Sequence, residues 1–81
     1  MDWNDKNEVL ERVKRNGELL EFASDTLKND KEVVMEAVKN SFVSLQWASY
    51  SLKNDKNFML KMAQIDKRAL KFATDEVKNS I

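Results

Sequence analysis

Apolar side chains recur along the chain in two alternating stripes. The first runs Val9, Leu10, Val13, then Val34, Met35, Val38, then Met59, Leu60, Ala63. The second runs Leu20, Ala23, Leu27, then Leu45, Ala48, Leu52, then Leu70, Ala73, Val77. Spacings of i, i+1, i+4 and of i, i+3, i+7 each gather their members on one side of an α-helix. The pattern therefore predicts alternating amphipathic helices of about ten and about twelve residues. Helices that short are marginal alone in water, so packing between them must hold the fold.

The two stripes belong to one unit written three times. Residues 4–28, 29–53 and 54–78 align without gaps and share six identical columns: Asn4/Asn29/Asn54, Asp5/Asp30/Asp55, Lys6/Lys31/Lys56, Leu20/Leu45/Leu70, Ala23/Ala48/Ala73 and Lys28/Lys53/Lys78. A fixed period of this length is the mark of stacked repeats. We expect an all-α single domain over residues 1–81, made of three tandem helix-turn-helix repeats. About six helices would stack as a short right-handed αα-solenoid or a compact helical-repeat bundle.

With no proline and a single glycine, Gly17, the corners must come from capping chemistry. Asp5, Asp30 and Asp55 stand where a side chain would accept hydrogen bonds from the first free amides of a helix. Asp5 and Glu8 have the spacing of a capping box. Eleven residues on, the column Asn16/Ser41/Asp66 holds three different residues that are all good N-caps. Asn29 and Asn54, just before the aspartates, are placed as left-handed helix ends. Phe22, Trp47 and Phe72 form an aromatic column, read as a ladder through the core.

Segments such as DKEVVMEAVKNSFVSLQWASYSLKND and NEVLERVKRNGELLEFASDTLKND resemble the helical repeats of the family of domains of unknown function 4116. That pattern is roughly D-x-E-x-V-x-x-A-V followed by N-G-x-A-L-x-x-A-S-x-x-L-K-x-D, and the likeness runs from Asn4 to Lys78. Unit one departs at Arg12 and Leu19. Unit three departs at Met62–Ala63 and at Ile65–Asp66–Lys67, which replaces the N-G corner. The resemblance implies a helical-repeat fold and, the family having no assigned activity, implies nothing about chemistry.

The columns also predict which faces are covered. Glu8/Val33/Phe58 and Arg12/Ala37/Met62 are polar in unit one alone, so they should face the preceding unit that unit one lacks. Lys67, Lys71 and Asp75 give the last helix a polar side, and three units are expected to form a complete module. Three columns are apolar in the middle unit alone: Gly17/Phe42/Lys67, Glu18/Val43/Arg68 and Asp25/Tyr50/Asp75. We expect these positions to face solvent, leaving a partner-binding surface of Phe42, Val43, Gln46, Trp47 and Tyr50 on the second helix of unit two.

Composition narrows the chemistry. The chain has no cysteine and no histidine, which removes disulfides, thiolate metal sites and the commonest general base. Its serines thus lack the base that activates a serine nucleophile. Glu32 and Glu36 lie one turn apart, a spacing more common on a solvated helix face than at a cation, and Met35, Met59 and Met62 read as core filling. Fourteen basic and fourteen acidic residues cancel overall. Unit one sums to −1 (five basic, six acidic) and unit three to +2 (six basic, four acidic). Lys61, Lys67, Arg68, Lys71 and Lys78 could supply a modest basic surface, weaker than nucleic-acid binding usually needs. Residues Met1–Arg15 are charged throughout and hold no signal-peptide core, and no apolar run is long enough for a membrane. The expectation is a cytoplasmic, noncatalytic module without cofactor, metal or small-molecule substrate. It would bind a protein partner or a second copy of itself; a structural role and weak nucleic-acid binding through the last helix are the alternatives.

Overall fold

In a computed structural model describing all 81 residues, every unit opens as the capping aspartates require. Helix α1 spans Lys6–Arg15, and the Asp5 carboxylate accepts the Glu8 amide at 3.2 Å. The same arrangement starts α3 (Lys31–Asn40), where Asp30 accepts from Glu32 and Val33, and α5 (Lys56–Ile65), where Asp55 accepts from Phe58. The capping box does not form. Glu8 instead accepts the Asp2 amide at 2.9 Å, while the Asp5 amide bonds the Asp2 carbonyl.

The second half of each unit differs from the expected continuous helix. It begins as a 3-10 helix: η1 (Gly17–Phe22), η2 (Phe42–Trp47) and η3 (Lys67–Phe72). Two extended residues follow, Ala23–Ser24, Ala48–Ser49 or Ala73–Thr74, with ψ near 155–160°. A short α-helix then restarts as α2 (Asp25–Lys28), α4 (Tyr50–Lys53) or α6 (Asp75–Ser80). The fold thus has nine helical segments where the stripes suggested about six. Residues three apart eclipse in a 3-10 helix, and Gly17, Leu20 and Ala23 are all buried at that spacing.

Hydroxyl capping explains the restart. Ser24, Ser49 and Thr74 each cap their short helix by accepting the amide of Leu27, Leu52 or Val77. The same hydroxyls donate to Asn4, Asn29 and Asn54 at 2.7, 2.6 and 2.7 Å. Their backbone amides bond the carbonyls of Trp3, Lys28 and Lys53. The repeated asparagine therefore clasps each unit shut across 20 residues. Asn29 and Asn54 keep negative φ (−101° and −96°), not the left-handed conformation expected of them. At the second corner, Asn16 and Asp66 cap as expected, but Ser41 makes no side-chain cap; its carbonyl accepts the Ser44 hydroxyl instead.

The repeated lysine joins one unit to the next. Lys6 reaches Asp30 and Glu32, both at 3.0 Å, and Lys31 reaches Asp55 at 3.6 Å. Lys56 donates to the Ser80 carbonyl at 2.8 Å. Helix α1 packs on α3 and α3 on α5, while η1 packs on η2 and η2 on η3. The result measures 39 × 20 × 15 Å. Its core includes Val9, Val13, Leu20, Val34, Val38, Leu45 and Met59. Leu70, the third member of the repeated leucine column, is half-buried where Leu20 and Leu45 are fully enclosed. Val33, Ala37, Phe58 and Met62 are buried while Glu8 and Arg12 are exposed, as the columns predict.

Candidate interaction surface

The five residues singled out on unit two lie on η2 and the first turn of α4. The kink at Ala48–Ser49 separates them into two groups. Tyr50, the first residue of α4, is 69% exposed, more than any other large hydrophobic side chain. Phe42, Val43, Gln46 and Trp47 on η2 are half-buried.

Phe42 does not stand free. Its ring meets Phe72 of unit three at 6.3 Å between centroids, with the planes tilted by 44°. The Arg68 guanidinium lies over it, 4.2 Å from the ring centre. Asp66 fixes that guanidinium with bonds of 2.8 to 3.2 Å to both carboxylate oxygens. Arg68 in turn holds the Asp66 carboxyl below the usual range. The positive charge is drawn to the electron-rich face of the ring. Phe42 is thus the inner part of a half-covered aromatic and cationic cluster spanning units two and three. Lys71 also leans over Phe72, 5.3 Å from its ring centre.

The column logic fails at Gly17. That residue is buried, and a Cβ added there would collide with the backbone carbonyl of Ala37. The Gly17/Phe42/Lys67 column therefore faces the following unit, not solvent. Asn40 completes the junction: its side-chain oxygen accepts the Gly17 amide at 2.8 Å, and its Nδ2 donates to the Lys14 and Arg15 carbonyls. Unit one thus needs glycine where unit two carries Phe42, which is displaced onto its neighbour's ring.

The aromatic column is not a core ladder. Phe22 is 55% exposed and pairs with Trp3 at 5.6 Å. Trp47 is packed against the core, and its indole N–H is buried without an acceptor. Trp3, half-buried beside the exposed Phe22, lies outside the repeat pattern because it precedes the first repeated column. Of the basic residues in unit three, Lys61, Lys67, Arg68, Lys71 and Lys78 are all exposed, but Arg68 is already engaged by Asp66 and Phe42. No three acidic side chains converge as a metal site, no pocket opens in the surface, and no helix is long and apolar enough to cross a membrane.

The family model described as Domain of unknown function (DUF4116) matches residues 5–51 and again residues 42–78. The chain belongs to this family. Its two overlapping matches cover the three units, from the first capping aspartate to the repeated lysine at the end of unit three. Neither a curated protein nor a solved structure matches the chain.

Proposed function

We propose that this member of the family is a noncatalytic helical-repeat module, stacked as a short solenoid, that binds a protein partner through the Phe42–Tyr50 side of unit two. Tyr50 carries the reading. Units one and three have aspartate at its position, and unit two there exposes a phenol to water. A tyrosine combines a broad apolar face with a polar tip, the chemistry enriched where partners dock. The clustered Phe42, Phe72 and Arg68 flank the same unit with a preorganised surface that loses little side-chain freedom on binding.

The test replaces Tyr50 by a photo-crosslinking phenylalanine analogue in the source cells, with the same analogue at Asp25 and Asp75 as controls. A discrete conjugate formed at position 50 alone supports the reading. A conjugate of twice the chain's mass makes the partner a second copy. Equal capture at all three positions, or none at position 50, removes it.

A further inference from the structure

Gly17 is the one glycine of the chain, and the residue before it is Asn16. Every other asparagine precedes a residue with a side chain. An asparagine before glycine is open to a reaction of its own: the next backbone nitrogen, once it loses its proton, can attack the side-chain carbonyl carbon. Glycine has no Cβ to obstruct that attack, and its backbone freedom lets the ring close. Asn16 is exposed to the water that the reaction needs, whereas Gly17 is buried.

The fold keeps the reacting atoms apart in two ways. Ring closure needs the Gly17 nitrogen and the Asn16 Cβ to eclipse about the bond from Asn16 Cα to its main-chain carbonyl carbon. With Asn16 ψ at 99° they stand on opposite sides of that bond, and the side chain is turned to accept the Glu18 amide at 3.2 Å. The nucleophile is tied as well: the Gly17 N–H donates to Asn40 Oδ1 at 2.8 Å, which holds its proton in place. Asn40 is anchored in turn by donating to the Lys14 and Arg15 carbonyls at 3.3 and 3.4 Å. A side chain of unit two thus clamps the corner of unit one.

We propose that Asn16 is a site of spontaneous modification, deamidation through a cyclic imide, which the junction between units one and two holds off while it is closed. When the junction opens, the deprotonated Gly17 nitrogen bonds to Asn16 Cγ, and the side-chain amide nitrogen takes up a proton and leaves as ammonia. Water then opens the imide. Attack at the side-chain carbonyl gives aspartate, and attack at the main-chain carbonyl gives isoaspartate. Aspartate keeps a cap, as Asp66 does in the same column by accepting the Arg68 amide at 3.0 Å. Isoaspartate routes the main chain through Cβ and Cγ and adds one backbone atom before Gly17, whose approach to the Ala37 carbonyl leaves no room even for a methyl group. That product stops the junction from closing again, so an opening is recorded in the covalent structure. The site is independent of the surface around Tyr50.

Peptide mapping by mass spectrometry follows the loss of Asn16 and separates the two products during incubation in mildly alkaline buffer. A synthetic peptide of residues 12–22, which lacks the clamp, gives the unprotected rate. The folded protein should react at least about tenfold more slowly than the peptide, because only the open fraction reacts. Asn40→Ala should speed the reaction of the protein at least about threefold. Asn16→Ser, with the residue that unit two carries at that position, should abolish it. If Asn40→Ala does not fold, the unaltered protein in sub-denaturing urea takes its place, and its rate should climb with the open fraction. The purified isoaspartyl form should melt below Asn16→Asp. Equal rates in peptide and folded protein, no acceleration by Asn40→Ala, a rate indifferent to urea, or equal melting of the isoaspartyl form and Asn16→Asp would each overturn the proposal.

Discussion

Ser49 gives its hydroxyl proton to Asn29 at 2.6 Å and, through the same oxygen, accepts the amide of Leu52. One oxygen thereby ends an extended step, starts a helix and ties the opening of unit two to its second half. Ser49→Ala should destabilise the fold by about 1–2 kcal/mol, the usual cost of a lost cap plus a lost hydrogen bond. Asn29→Ala should cost about 1 kcal/mol. The double variant should fall short of the sum, because both remove one bond. Urea unfolding of the four proteins measures the coupling; strict additivity would show that the two side chains act separately.

Gly17→Ala should destabilise although alanine is the better helix former. The added methyl must push the η1 backbone off the Ala37 carbonyl and strain the Asn40 bridge. A loss of about 1–3 kcal/mol is expected, in the range of overpacked cores. An unchanged denaturation midpoint would mean that the two backbones do not approach so closely.

Trp47→Phe should be neutral or stabilising by up to about 1–2 kcal/mol. The buried indole N–H has no acceptor, a deficit of that order. Phenylalanine already stands at the same place in units one and three. The lost ring volume works against the gain, so a loss above about 2 kcal/mol would indicate that the indole makes a bond or fills space that phenylalanine cannot. Thermal melts of the two proteins decide it.

Acid should loosen the capping aspartates. Partial burial pushes the Asp30 carboxyl up, but Lys6 and the Val33 and Glu32 amides outweigh it and hold the group low. Asp55 is held low chiefly by the Phe58 amide, with Lys31 assisting, and Asp66 chiefly by Arg68. A carboxyl lowered by folding adds stability in full above its unfolded value of about 3.9 and loses it as pH falls through the folded value. The melting temperature should therefore hold through mildly acidic pH and drop below about pH 4. Asp30→Asn keeps a good cap without the charge, so its melting temperature should fall less steeply over the same range. Parallel slopes for the two proteins would show that the Lys6–Asp30 pair contributes nothing to the acid response.

Much of the fold is legible in the amino-acid sequence. The period of 25, the three capping aspartates and the burial of Leu20 and Leu45 all follow from columns that tolerate one kind of residue. The kink after each 3-10 segment was not, because Leu20, Ala23 and Leu27 fit one α-helical stripe as well as they fit a 3-10 turn with a restart. Ser24, Ser49 and Thr74 were the available sign, three hydroxyls in one column directly after the repeated alanine. The aspartate clasped by a neighbouring unit's lysine could not be read either: Lys6 and Asp30 show their partnership only once the units are superposed in space. At the candidate surface, the exposure of Tyr50 follows from Asp25 and Asp75 at its position. The partial burial of Phe42 does not, since it depends on Phe72 and Arg68 arriving from unit three.

The clasps and lysine bridges share a further property: no hydrogen bond or ion pair in the chain joins residues more than 26 positions apart. Each closes a small loop, so little chain entropy is lost before the contact repays it. Such a molecule need not search for distant partners as it collapses. Its refolding should be rapid, within the microsecond-to-millisecond range of domains dominated by near-sequence contacts.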